Sequence, residues 1–200
     1  MKIQPKLLAL SLLALGLASA ASAAVETYAI DPVHSSVGFT IRHVFTQIPG
    51  SFTQFSGVLT VDRDNLENSS AEAVIQVGSI TTANAQRDHH LKTPDFFDAA
   101  KFGTITFKSK SWKKTGEDTY DVTGDLTIRD VTKEVVLKVT SLGFGPGMKG
   151  STSSGWEATT AINRTDFGVN GPAMLGKMVG DEVAITIEVA AELPAAAAAK

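Results

Sequence analysis

Residues 34–43, His-Ser-Ser-Val-Gly-Phe-Thr-Ile-Arg-His, alternate so regularly that they admit only one kind of secondary structure. Val37, Phe39, Ile41 and His43 fall on one face, and Gly38, Thr40 and Arg42 on the other. Strand side chains change faces at every residue, so this stretch reads as a β-strand buried on one side only. The alternation returns at least six times along the chain. A sheet of such strands has one apolar face that must be covered, and the way it is covered decides what the chain can do.

The first strand is predicted at Glu26–Asp31, stopped by Pro32, and the second at about Ser35–Val44. Gln47-Ile48-Pro49-Gly50 carries a turn signal. Phe52 and Phe55 lead through Gly57 into a strand at Val58–Asp62, a polar loop follows at Arg63–Ser70, and Ala71–Ile80 alternates again. Later strands are centred on Ile105–Phe107, Tyr120–Ile128, Val135–Val139, Trp156–Ile162 and Val183–Val189. Two segments break the pattern. In Thr82–Ala100, Asn84 is placed to cap a short helix over Ala85–Leu91, ended at Thr93-Pro94. Arg164–Met178 is irregular and glycine-rich, and Gly143–Gly155 reads as a loop. Gly145-Pro-Gly-Met-Lys-Gly150 formally matches a dinucleotide fingerprint, but it has neither a helix nor a βαβ unit around it.

Residues 1–23 read as a secretory signal peptide. Lys2 and Lys6 precede an apolar run, Leu7 to Leu17, which is too short for a membrane-spanning helix, and Ala21-Ser22-Ala23 supplies the small-residue cleavage site. The expected destination is the periplasm. The chain has no cysteine, so stability must come from its own core without disulfides or thiolate chemistry. Removing Lys2 and Lys6 makes a chain of net charge −3 more acidic, which argues against nucleic acid as a partner. Residues 24–193 form the domain, and Pro194 with the alanine run to Lys200 reads as a tail.

About eight strands joined mostly by short loops specify an antiparallel all-β fold. Periodicity alone fits a sandwich or an up-and-down barrel, and a barrel of that size either fills its interior or holds one ligand. An ordered set of motifs resembles the YceI family. It comprises Asp31-Pro-Val-His-Ser-Ser-Val-Gly-Phe-Thr-Ile-Arg-His43, Gly50-x-Phe52-x-x-Phe55-x-Gly57, and Arg87-Asp-His-His-Leu91 followed by Asp95-Phe-Phe97. Gly124-Asp-Leu-Thr-Ile-Arg-Asp-Val-Thr-Lys133, Arg164-Thr-Asp-Phe-Gly168 and Val183-x-Ile-x-Ile-x-Val189 complete it, so the resemblance spans about Val25 to Leu193. It implies a lipocalin-like antiparallel β-barrel of about eight strands with short helical insertions. It also implies an exported protein that binds a polyisoprenoid or other long-chain amphiphile for transport or storage. A homodimer and transient membrane contact are the further partners expected.

The expected lining comprises Val37, Phe39, Ile41 and His43 of the second strand, Phe52 and Phe55, and Phe107, Leu126, Trp156 and Ile162 of later strands. The two irregular segments add Leu91, Phe97, Phe167 and Met174, which would cap or line a mouth. Arg87 and His90, three apart on the short helix, share a face and would hold a polar head; the competing reading is that Arg87 and Asp88 lock the helix to the sheet. Neither a cofactor nor a metal is expected: His89 and His90 diverge on a helix, and no H-E-x-x-H occurs. No enzyme is expected either. An exported hydrolase or protease would lack a G-x-S-x-G elbow, and Ser35 beside His34 is mere adjacency. A filled β-sandwich acting as an interaction module is the other alternative.

Overall fold

The computed structural model describes residues 25–195, except for the side chain of Lys177. The expected signal peptide, and the tail beyond Ala195, lie outside the described residues. The strands are β1 (Glu26–Ile30), β2 (Ser36–His43), β3 (Thr46–Phe52), β4 (Phe55–Val61), β5 (Ser70–Gln76) and β6 (Ile80–Thr81). After helix α1 (Ala85–Leu91) come β7 (Thr104–Lys114), β8 (Thr119–Ile128), β9 (Val131–Pro146), β10 (Thr152–Asn163) and β11 (Val179–Leu193).

Three pairs of these segments each form one broken stave. β1 and β2 are interrupted by the turn at 31–35, β3 and β4 at Thr53-Gln54, and β5 and β6 by a 3-10 turn at Val77–Ser79. With β7 to β11 this gives an up-and-down meander of eight staves, antiparallel throughout. β11 closes it: one edge pairs with β10, and the other with β2 over Val179–Glu188 and with β1 at Ala191–Glu192. A ring without a free pair of sheets is a barrel, and the sandwich alternative is thereby overturned.

Local chemistry accounts for the breaks. The Asp31 carboxylate accepts from His34 Nδ1 at 2.6 Å and from the Val33 N–H at 2.9 Å, which turns the chain between β1 and β2. The His34 contact, followed by the Val33 amide, holds the Asp31 carboxyl below its ordinary value. Arg129 takes a φ of 57° in the two-residue link between β8 and β9. Its guanidinium donates to the carbonyls of Phe96 (3.0 Å) and Gly168 (2.5 Å) and lies 5.3 Å from the Phe102 ring, which ties both irregular segments to the barrel end.

Three expectations are corrected. Gln47–Gly50 is strand, because the reversal occurs earlier in the chain, at Val44-Phe45, where Val44 takes a φ of 54°. Pro49 is tolerated since β3 pairs with β6 only through Ser51 and Phe52, leaving an unpaired edge at Pro49. Gly143–Gly155 is mostly ladder: Gly143, with a φ of 109°, and a bulge at Gly155/Trp156 let β9 and β10 bend while staying paired, and only 147–151 turns. Ala71–Ile80 is not one strand, because beyond Gln76 the chain folds into the 3-10 turn, with Val77 N–H bonded to the Gly103 carbonyl.

A candidate ligand cavity

The inner faces of the staves do not meet everywhere. Inward residues of β8, among them Tyr120, Val122, Leu126 and Ile128, are buried. Inward residues of β10 and β11, such as Ala158, Ile162, Val183, Ile185 and Ile187, point the same way yet remain partly accessible. Together with Val122, Leu126 and Ile128 of β8, these accessible residues line a cavity of about 460 Å³. Its size falls within the range of small-molecule sites, roughly 300–1,000 Å³.

Aromatic packing closes one end. Trp112 and Trp156 meet edge to face with centroids 5.6 Å apart, Phe144 meets Trp156 in the same manner at 5.7 Å, and Tyr28 lies 5.8 Å from Phe144. Trp156 Nε1 donates to Ser154 Oγ at 3.1 Å. Below this floor the Tyr28 hydroxyl donates to Glu26 (2.7 Å) and accepts from Arg63 Nη2 (2.6 Å), and the Arg63 guanidinium covers Phe144 at 4.8 Å. Burial, reinforced by the Glu26 acceptor, pushes the Tyr28 phenol above its ordinary value, so it stays a neutral donor.

The opposite end is open. His43 and His90 line the cavity and are exposed, with Ile48, Leu175 and Val179 beside them on the lining. Phe39, Phe52 and Phe97 run inward from this mouth with centroid spacings of 5.8 and 6.1 Å. The Phe39 ring lies flat over Gly50, the residue opposite it on β3, where any Cβ would collide with it.

Helix α1 is fixed over the mouth by a compact polar knot. Asn84 Oδ1 caps it by accepting from the Arg87 N–H at 3.0 Å. Arg87 donates through Nε to Thr82 Oγ1 and through Nη2 to the Thr82 carbonyl, both at 2.7 Å. Asp88 accepts from the Thr82 N–H at 2.8 Å and from its hydroxyl at 2.5 Å. Burial opposes the charged form of Asp88, but the Thr82 bonds and the neighbouring Arg87 charge outweigh it and hold the carboxyl below its usual value. Arg87 and Asp88 thus fasten the helix to Thr82, the residue that follows β6. Arg87 also borders the cavity, and its Nη1 makes no hydrogen bond among the described residues. His90 Nε2 lies 2.9 Å from Asp95, and its ring stands edge-on to Phe96.

Of the residues selected from the sequence, Val37, Phe39, Ile41, His43, Phe52 and Phe55 all line the cavity. So do Arg87, His90, Leu91, Phe97, Phe107, Leu126, Trp156 and Ile162. Phe167 and Met174 do not. Phe167 is packed into the core beside the mouth, 2% exposed, and Met174 points outward at 85%. Arg164 was not selected, although it continues the inward alternation of Trp156, Ala158, Thr160 and Ile162. It lines the cavity and is spent on structure, donating to the carbonyls of Gly180 (2.9 Å), Val169 (2.7 Å) and Asn170 (2.5 Å) and pairing with Asp181 at 2.8 Å. Ile48 was hidden by the turn signal around it. The Ser35 hydroxyl bonds to Ala190 backbone groups and His34 bonds to Asp31, so the two do not form a nucleophile–base pair. Among the described residues no three His, Asp or Glu converge as metal ligands.

A closed barrel with an aromatic floor, an apolar wall and an open helical end belongs to the lipocalin-like class of β-barrels. The particular family follows from comparison: the chain belongs to the YceI-like domain family, whose model matches residues 28–191. A UPF0312 protein of Ectopseudomonas mendocina is 39% identical over 172 residues, covering 82% of this chain and 90% of its own. The crystal structure of BcnA from Burkholderia cenocepacia superposes with a TM-score of 0.74 at 25% identity, over 80% of this chain and 98% of that one. A polyisoprenoid binding domain from Saccharophagus degradans, implicated in plant cell wall breakdown, shares the fold with a TM-score of 0.63 at 16% identity, over 86% and 100% of the two chains.

Proposed function

We propose that this protein is an exported, periplasmic carrier or store for a polyisoprenoid or similar long-chain amphiphile. The tail lies along the hollow toward Trp112 and Trp156, and the polar head stays at the mouth near Arg87, His43 and His90. The observation that carries this reading is the continuous apolar wall from an open mouth to a sealed floor. The polyisoprenoid-binding relative of the same fold supports it, and the N-terminal pattern of Lys2, Lys6, Leu7–Leu17 and Ala21-Ser22-Ala23 supports export. The role is binding rather than catalysis.

Burial of a tail is worth about 0.8 kcal/mol per methylene, so such a molecule is almost never free in water. A bilayer buries the tail equally well. Preference for the barrel therefore comes from the shape of the hollow and from the head contacts, where Arg87 Nη1 is a charged donor suited to phosphate or carboxylate oxygens. Native mass spectrometry of protein purified from its own host tests the reading. A discrete added mass that organic extraction removes, and that proves to be a long-chain amphiphile, is expected. The bare polypeptide mass in repeated preparations would contradict it.

A further inference from the structure

We infer that the open end of the barrel is a membrane-docking rim, with Phe45 as its principal anchor and the surface of an anionic bilayer as its partner. The inference rests on the lipid-carrier reading and adds where and how the lipid passes.

Phe45 is 96% exposed at the tip of the β2–β3 hairpin, beside exposed Val44. The Val44 N–H bonds to the Met178 carbonyl at 2.7 Å, tying this tip to the loop that carries exposed Met174 and Met178. Four large apolar side chains are thus presented together, on two joined tips. Three of the four are adjacent in sequence to a residue of the cavity lining: Val44 to His43, Met174 to Leu175, and Met178 to Val179. The exposed apolar tips therefore sit beside the opening of the hollow. A tail leaving a bilayer there has only a short path to the cavity.

Charge selects the bilayer over a second copy of the chain. The protein carries 21 acidic residues, yet none occurs in 32–61 or in 167–180, the segments that build the two tips. Just beyond, Asp181 is paired with Arg164, Glu182 is exposed, and Asp95 on the helical side of the mouth faces His90, while Arg42 stands exposed on the hairpin with no ion pair among the described residues. Rim-to-rim contact between two copies would set Arg42 against Arg42 with no carboxylate on either tip to receive it, whereas anionic headgroups complement it. Narrow tips bearing Phe and Met also suit insertion among lipid headgroups better than the flat contact of a protein dimer.

The test uses residues 24–200, the chain expected once residues 1–23 are removed, so that Leu7–Leu17 cannot insert on its own account. Flotation is measured with vesicles of phosphatidylglycerol and phosphatidylethanolamine, and with phosphatidylcholine alone. The parent protein floats with the anionic vesicles and much less with phosphatidylcholine. Phe45→Asp lowers the bound fraction about tenfold, as expected from removing one inserted phenylalanine and adding a charge. Met148→Asp, at an exposed methionine of the opposite end, leaves flotation unchanged. Phe45 lies outside both core clusters, so the unfolding midpoint stays put, and native mass spectrometry of the same variant still shows carried lipid. Equal flotation of parent and Phe45→Asp would overturn the rim. So would a Phe45→Asp protein that changes from dimer to monomer while floating as before, because the occupant would then be a second copy. Loss of the lipid mass from parent and variant alike would instead contradict the carrier reading.

Discussion

Ala158→Phe empties the barrel without unfolding it. Ala158 projects inward from β10, in register with Val139 on one side and Ile187 on the other, and lines the cavity. Enlarging a residue in a filled core typically costs 1–3 kcal/mol, because neighbours must leave their rotamers. Here the added ring enters a space of about 460 Å³ and buries against apolar wall. The expected outcome is an unfolding midpoint unchanged or raised, by about 1–2 kcal/mol of added burial, together with loss of the lipid mass in native spectra. Retention of the full lipid complement would place the ligand somewhere other than the hollow. An unfolded variant would mean that the interior is solid.

Trp156→Ala should be the most destabilising single change at the floor. Trp156 is 3% exposed and meets Trp112 and Phe144 edge to face, and its indole N–H is satisfied by Ser154. Truncation removes the centre of that aromatic cluster and leaves the Ser154 hydroxyl without its donor. Large aromatic-to-alanine changes in cores cost about 3–5 kcal/mol, more when the surroundings cannot collapse. A barrel wall held by ladders on both sides is such a surrounding. Urea unfolding at constant slope measures the loss, and a change below about 1 kcal/mol would show that the floor is not a packed unit.

The sequence carried the strands and their faces because each side chain reports its face by position alone. Val37, Phe39 and Ile41 inside, and Gly38, Thr40 and Arg42 outside, needed no tertiary information. The same rule extended by one step would have found Arg164. Closure was not legible, since it depends on β11 pairing with β2 over Val179–Glu188 and with β1 at Ala191–Glu192, segments from opposite ends of the chain. Nor was the hollow: alternation says that Ile185 and Leu126 face inward, but not that a cavity lies between such residues in place of a packed core. Pro49 and the glycines of 143–155 misled for a common reason. Both residue types signal turns in isolation, and both are accommodated in strands where an edge is free or a bulge is wanted. Met174 and Phe167 show the limit in irregular segments, where no period assigns a face and one residue became the most buried of its loop while the other became rim.

The most direct measurement uses the only two tryptophans of the chain, Trp112 and Trp156, which both lie at the sealed end of the cavity. Delipidated protein is titrated with long-chain fatty acids carrying bromine either at the methyl end or beside the carboxyl group, and indole fluorescence is followed. A tail lying along the hollow, with its head at the mouth, predicts strong quenching by the methyl-end bromine and little by the other. Equal quenching by both, or none by either, would contradict an amphiphile held tail-first in this barrel.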